Sequence, residues 1–263
     1  MYKFVINSTD KNLFYSYFVP IVSIMWRKIG YYPVTLMLGD EKEWATSPKT
    51  KYVYEQIKLK STIIPINRIN GFKDSTVVQI SRIYASAFSF AADDYILTSD
   101  ADMIPLSKSW FNQQDPSKMF HLFGADAYNR KRFPICYLGA NAAVWRNVMG
   151  IAVNDIMSAM NTYLDRRRDD WNYDELLFTE KIQKSQFYPN KCQFIDRGWT
   201  EGRANYRLDR AAWNWQGQTN LYDCHSVRPG YTNWDAISCV FKTYYNNDDF
   251  KYIQEYTNTL NNL

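Results

Sequence analysis

Apolar and polar positions alternate along the first third of the chain in blocks that read as strand followed by helix. Lys3 to Ile6 is a short apolar run closed by Asn7-Ser8-Thr9-Asp10, a strand ending in turn formers. Pro20 stands where a helix would begin and Gly30 where it would stop, with Ile21, Ile24, Met25 and Ile29 spaced for one buried face. Pro33 to Leu38 is a second strand, closed by Gly39-Asp40, and Ser61 to Ile66 a third, with Pro65 placing it near an edge or a strand end. From Ser75 to Ala91, Val77, Ile80, Tyr84 and Ala87 recur at helical spacing, giving a half-buried helix that carries Arg82. Asp94 to Asp100 then encloses a continuous apolar stretch suited to a central parallel strand covered on both faces.

The second half is less regular. His121 to Tyr128 and Pro134 to Trp145 read as strands, Asn147 to Arg166 and Trp171 to Lys184 as helices, and Gly198 to Gly230 as loop rich in Trp, Arg and Asn. Strands alternating with helices predict an α/β fold with a mostly parallel, Rossmann-like sheet flanked by helices. No linker or low-complexity tract divides the chain, so residues 1–263 are expected to form a single domain with two subregions, 1–106 and 107–263.

Composition narrows the function classes. With 263 residues, 46% hydrophobic and 22% charged, the chain has enough apolar material for a large core. Its net charge of +4 is scattered, which argues against a dedicated nucleic-acid surface. The four cysteines show neither zinc-binding spacing nor a disulfide framework. The N-terminal apolar run is too brief for a signal peptide, and no window approaches a membrane span. The expected location is therefore cytoplasmic, with peripheral membrane association left open. Aromatic residues make up 17%, and their rings pack against sugar C–H faces as readily as against one another.

The strongest chemical signal is Leu97-Thr-Ser-Asp100-Ala-Asp102-Met-Ile-Pro105-Leu. Two carboxylates stand where a buried strand runs out, which is where open parallel sheets bind ligands. There they can hold Mn²⁺ or Mg²⁺ against the pyrophosphate of a nucleotide, the ion offsetting charge on the departing diphosphate. A second signal lies at Tyr222-Asp-Cys-His225-Ser-Val-Arg228-Pro-Gly230. Imidazole suits a transition ion whose other ligands are carboxylates, so His225 is the candidate third ligand. His121, in the apolar setting of Met119-Phe120-His-Leu122-Phe123, reads as structural.

With these motifs in this order, the chain resembles the GT-A family of nucleotide-diphospho-sugar transferases, especially small viral and bacterial members including chlorella-virus enzymes. The resemblance implies a glycosyltransferase that moves a sugar from a nucleoside-diphosphate sugar, UDP foremost, to a hydroxyl acceptor such as a glycan. It implies that Asp102 and His225 bind the metal, that Asp100 binds the metal or the ribose, and that Asn7 and Ser8 line the nucleotide pocket. Arg82 would face the ribose or diphosphate, or else serve an ion pair. Gly139-Ala-Asn141-Ala142 resembles the segment that passes under the donor sugar. Trp171-Asn-Tyr-Asp174-Glu175 looks like the family's acidic segment, so Asp174 or Glu175 would act as base or anomeric-site group, with Asp126 and Glu201 as the next carboxylates to consider. The same two acids also suit a helix's first turn. The guanidinium-rich stretch from Arg197 to Arg210 would grip a diphosphate or an acidic glycan, or form a salt-bridge cluster.

Two other classes compete. A haloacid-dehalogenase-like phosphohydrolase also places two aspartates two apart after a strand, but on its first strand. A non-catalytic carbohydrate-binding module would explain the aromatic residues, yet needs no acidic metal motif.

Overall fold

The computed structural model describes residues 1–152, 155–164, 171–200 and 203–263. Its strands are β1 (Lys3–Thr9), β2 (Tyr32–Leu38), β3 (Thr62–Ile66), β4 (Tyr95–Thr98), β5 (Met103–Pro105), β6 (Phe120–Phe123), β7 (Leu138–Asn141), β8 (Cys192–Ile195), β9 (Trp199–Thr200), β10 (Arg203–Ala204), β11 (Arg207–Asp209) and β12 (Asp223–His225). Seven of them form one sheet in the order β3-β2-β1-β4-β7-β6-β8. β1, β2, β3 and β4 run parallel, and β7 is antiparallel to both neighbours, so β6 and β8 point the same way as β4. The sheet is thus mostly parallel, as the alternation of strand and helix predicts.

Strand alternation feeds two cores. Val5, Met37 and Leu97 pack with the helices Phe18–Ile29, Pro48–Lys60, Trp234–Tyr244 and Asn247–Asn262. Ile6, Leu36 and Ile96 pack on the opposite face with Asp74–Tyr84, Ala142–Met149, Ile156–Tyr163 and Tyr173–Lys184. Two buried layers against one sheet supply the apolar burial that stabilises an α/β architecture. The helix Phe18–Ile29 ends on Gly30 at φ +109°, a left-handed turn that glycine takes without Cβ strain.

Several boundaries differ from the sequence expectation. Pro134 to Trp145 is not one strand: a 3₁₀ turn at Ile135–Tyr137 leads into β7, and a helix starts at Ala142. That helix stops at Gly150, in the left-handed region, so Asn147 belongs to its end and not to the start of a longer one. The segment from Gly198 to Gly230, expected to be loop, holds four short strands, and β5, β11 and β12 make a second sheet in the order β11-β12-β5. The acidic motif sits between β4, the fourth strand, and β5, not on the first strand as a dehalogenase-like chain would have it.

Among the described residues no helix is long and apolar enough to cross a membrane.

Candidate active site

The site grows from the end of β4. Ser99 donates its N–H to Ile6 at 2.9 Å, holding the chain against β1 before it turns through Asp100 and Asp102 into β5. β5 pairs antiparallel with β12, setting His225 opposite Met103. A backbone bond from Ser226 to the Asp102 carbonyl (3.1 Å) closes this junction. His225 Nε2 thereby lies 3.5 Å from Asp102 Oδ2. β11 pairs parallel with β12 so that Asp209 faces His225 and Arg207 faces Asp223. Farther on, Gly230 packs so closely on Tyr17 and Phe18 that any Cβ would collide with them, which pins the loop after His225.

Asp102 is 3% exposed, and one of its oxygens collects Arg210 Nη1 at 2.6 Å and Arg228 Nε at 3.4 Å besides His225. Burial works to raise its pKa, but His225, Arg210 and Arg228 together hold it below the ordinary value. For His225 burial disfavours the charge, and the flanking carboxylates of Asp102 and Asp209 outweigh it, moving its pKa up. Asp209, whose Oδ2 is 3.4 Å from His225 Nδ1, stands at about 2 despite partial burial, held there by His225 and a backbone N–H.

Arg82, buried on the helix Asp74–Tyr84, spans two acids. It pairs with Asp100 through one nitrogen and with Asp174 through the other at 3.1 Å. Asp174 begins the helix Tyr173–Lys184 and accepts the Glu175 N–H at 2.8 Å. Its burial raises the pKa to about 6, against the pull of Arg82 and with a push from Asp100. Glu175 is raised to about 7 by burial and then by Asp174, with Arg132, 2.8 Å away, working in the other direction.

Ser8, Arg82, Asp100, Asp102, Asp174, Glu175 and His225 all line one cavity of about 640 Å³. Two expected site residues do not. Asn7 and Ser8 are neighbours on a strand, so they face opposite sides: Ser8 follows Ile6 toward the cavity, and Asn7 is buried on the face of Val5. Asn141 pairs with Tyr95 at the start of β4, the far end of that strand from Asp100, because β7 runs antiparallel. It is the entry to β7, at Pro134, Ile135 and Cys136, that reaches the cavity. Asp126 uses its carboxylate on the N–H groups of Arg197 (2.9 Å) and Gly198 (2.8 Å), and Glu201 lies outside the described residues.

The arginine-rich stretch divides in two. Arg197 and Arg207 both converge on Asp223, which is fully buried and whose pKa the two guanidinium groups drive well below the carboxylate range against its burial. Arg210 instead reaches the acidic motif. Sequence reasoning missed Asp209 as a neighbour of His225, and Arg210 and Arg228 as neighbours of Asp102. The available signal was spacing: Arg207-Leu-Asp209 and Asp223-Cys-His225 each put two chemical groups on one strand face, ready to pair in register. His121, as expected, is structural, its Nδ1 3.2 Å from the Tyr95 hydroxyl.

Among the described residues no three His, Cys, Asp or Glu side chains converge as a finished metal cage. Asp102 and His225 nevertheless offer a carboxylate oxygen and an imidazole nitrogen side by side, a donor pair that suits a transition ion such as Mn²⁺, with Asp100 lining the same cavity.

No protein-family model matches the chain, and no curated protein matches it in sequence. Solved structures do. The apo glycosyltransferase GlyE of Streptococcus pneumoniae TIGR4 superposes with a TM-score of 0.50 at 9% identity, over 98% of this chain and 60% of that one. The galactosyltransferase LgtC, in complex with donor and acceptor sugar analogs, gives 0.48 at 12%, over 97% and 95%. Mouse xyloside xylosyltransferase 1 gives 0.43 at 12%, over 87% and 99%. In a second GlyE structure the match spans 45% of that protein's length. The likeness to GlyE carries the fold: the chain has the mixed α/β architecture of GT-A-type glycosyltransferases, a central sheet flanked by helices.

Proposed function

We propose that this chain is a metal-dependent glycosyltransferase that takes a sugar from a nucleoside-diphosphate sugar, a UDP-sugar first, and passes it to a hydroxyl acceptor. The observation that carries this reading is the meeting of Asp102 and His225 at the end of the central strand, in the cavity that also holds Asp100, Arg82 and Glu175. Asp100, Asp102 and His225 would hold Mn²⁺ or Mg²⁺. When bound, the ion supplies positive charge opposite the leaving diphosphate.

The rest of the work falls to side chains. Ser8 lies on the nucleotide side, and Arg82 is a fixed cation for ribose or diphosphate, kept charged because Asp100 and Asp174 outweigh its burial. Arg210 and Arg228 sit on Asp102 and can move to phosphate oxygens, for which guanidinium geometry is well matched. Asp174 is committed to Arg82 and to its own helix end, so it acts as a positioning group. Glu175 is better suited to proton transfer, since a carboxyl at about 7 is both available as a base and strong enough to take a proton near neutrality. The acceptor O–H gives its proton to Glu175 while its oxygen bonds to the anomeric carbon. The bond from that carbon to the diphosphate breaks, and its electron pair leaves with the nucleotide.

Calorimetry with UDP, GDP and their sugars, with Mn²⁺ and again with a chelator, tests the reading. UDP affinity should fall at least tenfold on chelation and by a similar factor in Asp102→Ala and His225→Ala. Absence of nucleotide binding, or binding indifferent to chelation and to both variants, would remove it.

A further inference from the structure

One wall of the cavity is unlike the rest. Tyr128 and Trp171 line it while remaining 41% and 65% exposed, the most exposed of the aromatic rings that line the cavity among the described residues. Leaving an indole in water forfeits the apolar burial that the core gives to Trp26, Trp44 and Trp145. The neighbours of these rings are polar. Asn172 and Glu175 lie on the same wall, and the Arg132 guanidinium stands 4.0 Å over the Tyr128 ring with its Nε 2.8 Å from Glu175.

We infer that Tyr128 and Trp171 form the acceptor subsite, and that the acceptor placed there is a neutral sugar stacked on the rings. This rests on the glycosyl-transfer reading above. An apolar aromatic face surrounded by hydroxyl-binding groups matches a pyranose, which presents C–H bonds on one face and O–H groups around its edge. The charged diphosphate belongs with Asp102, His225 and Arg210, which line the same cavity. Glu175 stands beside the rings through Arg132, where a hydroxyl of a stacked sugar can reach it. A neutral acceptor follows from the charges among the described residues, where the cation beside these rings, Arg132, is already paired with Glu175. An acidic sugar would bring a second carboxylate to a place where that pairing is taken, and like charges repel there.

The test uses the full chain, with Trp171→Ala, Trp171→Phe and Tyr128→Ala. Transfer from labelled UDP-hexoses would be measured on a panel of lactose, maltose, cellobiose, xylobiose and one uronate-bearing disaccharide. Saturation-transfer NMR would record direct sugar binding, and calorimetry would follow UDP. The expected result is that a neutral disaccharide is used in preference to the uronate, and that its KM rises about tenfold or more in Trp171→Ala, equivalent to ~1.4 kcal/mol of lost stacking. Trp171→Phe should recover most of that loss, and UDP affinity should stay within twofold in all three variants. An acceptor KM unchanged by both alanine substitutions, a preference for the uronate, or a loss falling on UDP affinity would overturn the inference. Wild-type protein that binds neutral disaccharides through Trp171 yet binds no nucleotide would sink the transferase reading and leave the sugar subsite standing.

Discussion

Glu175 offers a measurement in which stability and activity move in opposite directions. Its carboxyl is raised from an ordinary 4.5 to about 7, chiefly by burial and then by Asp174. Converting that displacement at ~1.4 kcal/mol per pH unit gives roughly 3 kcal/mol. The sign follows from proton binding. Between these pH values the folded state holds a proton that the unfolded chain releases, so the contribution is full below about 4.5, fades as pH rises, and is gone above about 7. Asp174, Asp100, Arg82 and Arg132 are the charged groups that face it. Glu175→Gln keeps the shape and cannot ionise, so the variant escapes the penalty that the wild type carries at pH 8. Its loss is the ion pair with Arg132, a group 25% exposed and therefore partly solvated. Urea unfolding should find Glu175→Gln more stable than wild type by about 2 kcal/mol at pH 8 and no more stable at pH 5. Transfer should fall on the order of 10²-fold, as for loss of a positioned base. A variant less stable than wild type at pH 8, or a difference between the two proteins that does not change with pH, would refute the reasoning.

Asp223→Ala should strand Arg197 and Arg207 in the interior and cost about 3 to 5 kcal/mol, lowering the thermal midpoint by roughly 10 °C in a melting scan. A shift under about 2 °C would show that these arginines find water or another partner. Asn141→Ala, at the far end of the sheet from the acidic motif, should leave transfer within about twofold of wild type. A steady-state assay showing a fall of 10² or more would return Asn141 to the donor site.

The central part of the fold was legible because it obeys two simple periods. The apolar run at Tyr95–Thr98 and the helical spacing of Val77, Ile80 and Tyr84 named the middle strand and the helix carrying Arg82, and the carboxylates following that strand line the main cavity. What escaped was short and tertiary. Strands of three residues, such as β11 and β12, are too brief to show alternation, so the loop-like reading of that region concealed the ladder that brings His225 to Asp102. Asn141 was misplaced for a related reason. Reading Pro134 to Trp145 as one strand hid that β7 is antiparallel and carries its C-terminal end away from the site. Asn7 stands one residue short of the end of β1 that reaches the cavity, Ser8 and Thr9, and is itself fully buried.

The register of β12 against β5 also bears on when the protein can first recognise a ligand. Asp102 is made well before His225, with 121 residues of chain between Met103 and its ladder partner at 225. A nascent chain released only as far as β5 has the acids without the imidazole, and without Arg210 or Arg228 beside them. On the proposed function, nucleotide capture waits until His225 has been made, and a ligand present earlier in translation cannot template the first strands. Once formed, the same ladder ties two segments far apart in sequence to one cavity, so on the proposed function nucleotide with metal should protect peptide bonds near residue 225 from proteolysis as strongly as those near residue 100.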